Sequence, residues 1–556
     1  MLRRVLYIAL ATLLPALVSG QEVVSIRVDG NARLGPYKPL WAYFGYDEPN
    51  YTYAANGRKL VSELATMGSA PVYIRAHNLL TSGNGTPALK WGSTNAYTED
   101  LAGRPVYNWT IVDKIFDTYV KARAKPFVEM GFMPEALSQK PEPYRHFWPK
   151  TRIAAGWAYP PNDDRKWAAL IEEWVRHSIG RYGRAEVESW YWELWNEPDI
   201  EYWQGTPEEY NKLYDFTADA VKRVAPRARV GGPAVTGPAS AKAAGFLRQF
   251  LEHCAHGRNS ATGQTGAPLD FITYHAKGRP KIVDGHVQMG LASQLQDVAA
   301  GAEIVASFPQ FRDLPVILSE SDPEGCAACS AQGHPQNAYR NGALYPCYTA
   351  AAMGALLKVG DRRKINLEGM LTWAFEFEDQ PYFAGFRTLA TNGIDKPVLN
   401  VFRMAALMRG DRVALESSGA AGLDRILQSG VRDKPDIDGL AVRSDRGISV
   451  MIWNYHDDDA PGPEASLRLT VAGLPAGARQ VRLRHYRIDR DHSNAFTAWQ
   501  AMGAPQRPAP DQYARLEDAG RLQLLAPPSR VEKVAGVVEL RFPLPRQAVS
   551  LVQLSW

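Results

Sequence analysis

Between residues 39 and 410 one pattern recurs eight times: a short apolar run closed by polar residues, then a longer stretch with amphipathic spacing. The apolar runs are LWAYFGYDE (40–48), PVYIRAHN (71–78), PFVEMGFMP (126–134) and WYWELWNEPD (190–199). They continue as RVGGPA (229–234), DFITYHAK (270–277), PVILSESD (315–322) and GMLTWAFEFED (369–379). In the stretch 108–124, Trp109, Val112, Ile115, Phe116, Tyr119 and Val120 recur at helical spacing. The stretch 206–226 opens with Thr206 as N-cap, Pro207 at the first helical position and Glu209 at the third, and stops at Pro226. Eight strand–helix units predict an α/β fold, a (β/α)8 TIM barrel, over residues 39–410. A doubly wound open sheet is the competing arrangement, but no GxGxxG follows the first strand.

The pattern changes after residue 411. Segments 439–456, 465–474, 480–489 and 549–556 alternate with period two and are separated by Gly, Pro and Asp. They predict an appended C-terminal β-sandwich domain over 411–556. The strand-like EVVSIRVDG (22–30) precedes the barrel, and residues 21–38 are expected to join that sandwich.

Residues 1–20 have the form of an export signal: Arg3 and Arg4, the apolar VLYIALATLLPALV, then small residues at Val18 and Gly20. The expected location is therefore periplasmic or secreted, with no membrane attachment once the segment is removed. The formal charge of +4 loses Arg3 and Arg4 with that segment and becomes +2, with no long basic run, which argues against nucleic acid as partner. Four cysteines, Cys254, Cys326, Cys329 and Cys347, allow three full disulfide pairings in an exported chain. The CAAC at 326–329 lacks a second CxxC or a paired His motif, so a stapled loop is expected there rather than zinc.

In a TIM barrel the site lies at the C-terminal ends of the strands. Those ends carry Arg75 and His77, Glu129, Asn196 and Glu197, Tyr274 and His275, Glu320, and Glu376 with Glu378. Two carboxylates in one mouth suit glycoside hydrolysis: one protonates the leaving oxygen, the other attacks the anomeric carbon or activates water. The Trp-rich surroundings of Glu197 suit the acid, which must hold its proton. Glu320 suits the ionised partner, with Arg75, His77 and Tyr274 as donors. If Val316 and Leu318 face inward, Glu320 does too, since the three share one strand face. Asn196 and Glu197 are adjacent, so both reach the mouth only if the strand breaks, which Pro198 favours. Glu193 and Glu129 read as scaffold carboxylates, the latter a partner for Arg75. Trp203 is either a platform for the leaving group or a lid.

WNEPD at 195–199, with PFVEMGFMPEAL (126–137), WYWELWNEPDIEYWQGTPEEY (190–210) and DFITYHAKG (270–278), resembles glycoside hydrolase family 39 of the retaining clan A enzymes. That family contains β-xylosidases and α-L-iduronidases, and the resemblance covers roughly residues 40 to 410. It implies Glu197 as acid/base and Glu320 as nucleophile. It implies Asn196 on the sugar 2-OH, His77, His275 and Glu376 or Glu378 on other hydroxyls, and Trp373 as a stacking wall. Trp373 has the opposite strand parity to Glu376 and Glu378, so the eighth strand must bend if all three serve. SESDPEGCAACSAQG departs from the family pattern after the nucleophile, which bears on substrate identity. The implied activity is a retaining exo-glycoside hydrolase cleaving β-D-xylosides from an oligo- or polysaccharide, with no metal or organic cofactor. The alternatives are an enzyme for L-arabinosides, iduronides or an exopolysaccharide, and a non-catalytic carbohydrate-binding protein.

Overall fold

The computed structural model describes residues 23–145, 156–477 and 480–556. The expected export segment, residues 1–20, lies outside the described residues. Among the described residues no helix is long and apolar enough to cross a membrane.

A closed parallel sheet runs through eight strand positions: Tyr43–Tyr46, Tyr73–Ala76, Lys125–Met130, Tyr191–Leu194, Arg229–Val235, Phe271–Lys277, Val316–Asp322 and a split eighth strand. The eighth consists of Leu367–Met370, which pairs with the seventh strand, and Thr372–Trp373, which pairs with the first and closes the barrel. The break falls at Leu371, whose amide donates to Leu318 O at 2.9 Å and whose carbonyl accepts from Ser321 N at 2.7 Å. This strand ends at Trp373, so Glu376 and Glu378 lie beyond it and the parity conflict disappears.

The outer helices follow their sequence signals. Thr110–Ala122 buries Val112, Ile115, Phe116 and Tyr119, one apolar stripe. Pro207–Val224 begins with a capping box in which the Thr206 hydroxyl and the Glu209 carboxylate each satisfy the other residue's backbone amide.

Inside the barrel the side chains form layers. Tyr43, Tyr73, Phe127, Tyr191 and Phe271 pack ring to ring at the base, with neighbouring centroids 4.9 to 5.8 Å apart. Two residues further along their strands the same face carries Arg75, Glu129 and Glu193. The aromatic layer closes the bottom of the barrel, and the charged groups above it can be reached only from the C-terminal end.

The second sheet has ten strands. Val24–Pro36 lies within it, antiparallel to Asp411–Ser417 and parallel to Ala465–Ala472. Val471 and Val538 from one end of the strand order share a core with Val481 and Leu554 from the other. The sheet therefore folds over itself into two layers. Helices Leu423–Ser429, Ala495–Ala501 and Pro510–Gly520 interrupt this β region, which period-two reading does not anticipate. Cys326 and Cys329 form a disulfide, while Cys254 and Cys347 are buried thiols, so none of the three full pairings occurs.

Candidate active site

The fourth strand stops at Leu194, and Trp195 and Glu197 then take positive φ values of 67° and 45°. Left-handed backbone costs a non-glycine residue roughly 1–2 kcal/mol. Here it turns the chain so that the neighbours Asn196 and Glu197 both reach the barrel mouth. The break thus starts at Trp195, ahead of Pro198. The Glu197 amide donates to Ala234 O at 2.9 Å, which ties the turn to the fifth strand.

Glu320 reaches the interior by a different route from the one its parity suggests. In the pairing with the sixth strand, Leu318 aligns with Tyr274 and Glu320 with His275, so Ser319 is an extra, bulged residue. Val316 and Leu318 share the outward face with Ile272 and Tyr274; the bulge alone turns Glu320 inward. The shared-face premise is corrected, although the inward position stands.

The two carboxylates meet across His275. Its Nδ1 lies 2.8 Å from Glu197 Oε1 and 4.0 Å from Glu320 Oε2. One carboxylate oxygen of Glu197 and one of Glu320 fall within 4.8 Å of each other. Glu320 is 4 % exposed and ringed by donors: the Lys277 ammonium, Arg75 Nη1 at 3.5 Å and His77 Nε2 at 3.5 Å. Burial works to raise its pKa, but Lys277, His275 and His77 outweigh it and hold the carboxyl well below the usual carboxylate range. Burial alone would lower the His77 pKa; Glu129, Asp47 and Glu320 together push it up to about 9.

Beneath them Arg75 is completely buried. Its Nε donates to Glu193 at 2.5 Å, Nη2 lies 3.0 Å from Glu129, and Nη2 donates to Asn196 Oδ1 at 3.1 Å. Glu193 and Glu129 therefore sit as scaffold partners of Arg75. Burial pushes the Glu129 carboxyl up to about 7, even with His77 and Arg75 pulling it down. Holding Oδ1 on Arg75 orients the Asn196 amide and places its amino group on the other side.

Other expected residues take other places. The Tyr274 hydroxyl donates to Val298 O at 3.2 Å in the helix Leu291–Ala306, so it faces away from the mouth; its parity is opposite to that of His275. Glu376 accepts from Gly393 N at 2.6 Å, and Glu378 accepts from Asn56 N at 2.9 Å and Asn56 Nδ2 at 3.0 Å. Neither joins the Glu197–Glu320 group among the described contacts. Trp373 does border the site: its ring lies 4.2 Å from that of His77 and under the Arg75 guanidinium. The Trp-rich surroundings expected for Glu197 also need correction. Trp192 and Trp190 pack outward on Trp174 and Phe116 of the helical layer. Trp203 is 5 % exposed, edge-on to Trp195, with its Nε1 on Thr206 O, so it covers the fourth loop and offers no open platform.

Three residues escape the sequence reading. Lys277 lies two residues beyond His275 on the same strand face, and period two alone points to it. Asp47 closes the first strand as other acids close theirs. Lys90 arrives from the long connection after the second strand and carries no periodic signal. The Glu197 and Lys277 side chains are 15 % and 17 % exposed, so the open side of the cluster lies between them.

The loop after the seventh strand carries the disulfide. The buried Arg340 donates to Cys326 O at 2.7 Å, Cys329 O at 2.8 Å and Glu324 Oε1 at 2.5 Å. Glu324 in turn binds Arg387, which donates to Trp373 O at 2.8 Å. The staple thus supports the pocket wall through two buried arginines. A Cys326→Ser, Cys329→Ser variant should lose about 2 kcal/mol of stability, the entropy of closing so short a loop. Its KM on an aryl glycoside should rise more than its kcat falls; unchanged KM and unfolding midpoint would count against the support role.

The sequence profile of the Glycosyl hydrolases family 39 matches residues 24–531. The chain belongs to glycoside hydrolase family 39. A β-xylosidase of Caldicellulosiruptor saccharolyticus is 28% identical over 428 residues, 74% of this chain and 76% of the relative. An α-L-iduronidase of Mus musculus is 24% identical over 518 residues, 88% of this chain and 75% of the relative. A solved family-39 enzyme from Xanthomonas axonopodis pv. citri superposes with a TM-score of 0.74 at 23% identity, covering 98% of this chain and 99% of the other, and shows the same fold. This family-39 protein is thus a glycoside hydrolase with a carbohydrate substrate, which sets aside the non-catalytic alternative.

Proposed function

We propose that the protein is a retaining exo-glycosidase acting on β-D-xylosides, exported by its first twenty residues. One observation supports the mechanism: the nearer carboxylate oxygens of Glu197 and Glu320 lie within 4.8 Å, the close approach expected of a retaining pair. Inverting pairs stand about 6.5–9.5 Å apart to admit a water, and retaining pairs about 5–5.5 Å apart. In this reading Glu320 attacks the anomeric carbon as the bond to the leaving oxygen breaks, and Glu197 gives that oxygen its proton. Water then attacks the same carbon, Glu197 takes its proton, and the bond to Glu320 breaks. Asn196 and His275 hold sugar hydroxyls, His77 is turned to Glu320, and Trp373 lines the wall. The β-xylosidase relative supports the pentose.

A second reading rests on Lys277. A neutral xyloside offers no charge to an ammonium beside the nucleophile, whereas a uronide carboxylate would pair with it. The iduronidase relative points the same way.

The test is a panel of aryl glycosides with proton NMR of the first-formed sugar. The aryl β-D-xyloside should turn over at least roughly tenfold faster than the arabinoside and glucoside, a gap of about 1.4 kcal/mol in the barrier, and release β-xylose first. Release of the α-anomer would refute retention. A faster aryl uronide would select the second reading.

A further inference from the structure

Asp47 follows directly on the first barrel strand and is 4 % exposed. Both its oxygens are taken, from opposite sides. Oδ1 lies 2.8 Å from His77 Nδ1, and Oδ2 accepts from Lys90 Nζ at 2.8 Å. Its carbonyl accepts from Asn78 Nδ2 at 2.9 Å. Lys90 is itself buried, with its backbone amide on Glu48 Oε1 at 2.7 Å. Three buried polar side chains, Lys90, Asn78 and Glu48, from three segments thus help fix one carboxylate against one edge of one imidazole. Such a cluster is costly to desolvate, and packing alone does not require it.

The other edge of the ring faces the chemistry. His77 Nε2 lies 3.5 Å from Glu320 Oε1, 3.1 Å from Glu129 Oε2 and 3.1 Å from Arg75 Nη1. The charged groups around the ring are therefore Asp47, Glu129, Glu320 and, farther off, Glu48, opposed by Arg75 and Lys90. Trp373 and Phe132 supply the apolar contacts. With Nδ1 on Asp47, Nε2 accepts from Arg75 Nη1 when the ring is neutral and turns a proton toward Glu129 and Glu320 when it is charged; the Asp47 carboxylate at 2.8 Å favours the charged form.

We propose that Asp47, anchored by Lys90, is a positioning residue that keeps His77 charged and aimed at Glu320. The proposal rests on the reading of Glu320 as nucleophile. With Asp47 neutralised, His77 gives up its proton at lower pH, and Glu320 loses a charged donor across the working range.

The test uses the full chain with Asp47→Asn, Asp47→Glu and Lys90→Met, on the aryl glycoside turned over fastest. Asp47→Asn should lower kcat/KM roughly tenfold near pH 8 and move the alkaline limb of the profile down by about one pH unit or more. Asp47→Glu should restore the limb, and Lys90→Met, which removes a cation from the far side of the same carboxylate, should move it upward. The His77 titration, followed by NMR with 15N-histidine and assigned with His77→Gln, should fall in Asp47→Asn. If Asp47→Asn does not fold, the Lys90→Met limb and His77 titration must still shift, upward; an unmoved titration would overturn the proposal. A uniform loss at every pH with an unmoved His77 titration would mean structural support only and would overturn the proposal. If Glu320→Ala retains activity, the nucleophile reading falls and takes the proposal with it. If Glu320→Ala is inactive while the Asp47 variants move neither readout, the proposal alone falls.

Discussion

Replacing Glu320 with alanine is expected to cut kcat/KM on an activated aryl glycoside by on the order of 10⁴-fold or more, about 5 kcal/mol of transition-state stabilisation. The loss follows from position: no other carboxylate among the described residues combines inward orientation, the three donors Lys277, Arg75 and His77, and proximity to Glu197. Azide should restore turnover by entering the space of the missing carboxylate. It would attack the anomeric carbon as the aryl oxygen departs, giving a glycosyl azide of inverted configuration. Retained full activity in the variant would sink the assignment. The pH dependence has a sign as well. Because the folded environment depresses the Glu320 pKa, the carboxylate contributes stability above its unfolded pKa of about 4.5 and loses it as pH falls further. Glu320 therefore leaves the acid limb of kcat/KM below that unfolded value.

Arg75→Met should be the most destabilising single change in the barrel, costing about 3–5 kcal/mol. Arg75 is the shared cation of Glu193 and Glu129, both completely buried. Removing it leaves Glu193 without a counter-charge and Glu129 with His77 alone, directly beneath the site. Burial already pushes Glu129 up to about 7, so the variant should keep that group protonated at neutral pH. Denaturant unfolding of the barrel would show the loss. Adding Glu193→Gln should recover part of it, a coupling visible in a double-mutant cycle. An unfolding curve superposable on the parent's would refute the account of this charge layer.

The strand positions are legible in the chain because each apolar run closes with polar residues, and the two helices assigned from spacing and capping are legible for the same local reason. The pair Glu197 and Glu320 is legible too, but Glu320 faces inward for a reason no periodicity contains. The bulge at Ser319 is set by pairing with the sixth strand, and a one-residue slip inverts every face assignment upstream of it. Tyr274 shows the opposite error: it neighbours a site histidine in sequence yet packs on the helix Leu291–Ala306. Glu376 and Glu378 fail because the eighth strand ends at Trp373, a consequence of barrel closure rather than of local pattern. Lys277 and Asp47 were readable by the rules that found His275 and Glu197. Lys90 was not, since its place depends on a long connection folding back over the mouth.

The first described strand, Val24–Pro36, has a consequence for how the protein is made. It occupies an interior place between Asp411–Ser417 and Ala465–Ala472, so both its neighbours are synthesised only after the whole barrel. On the ribosome this segment must wait, unpaired on both edges, while several hundred residues emerge and fold. Cutting the gene at the barrel boundaries would leave the remaining sheet with a gap in its middle rather than a shorter edge. A soluble expression product is therefore expected only from clones that keep both ends of the chain together.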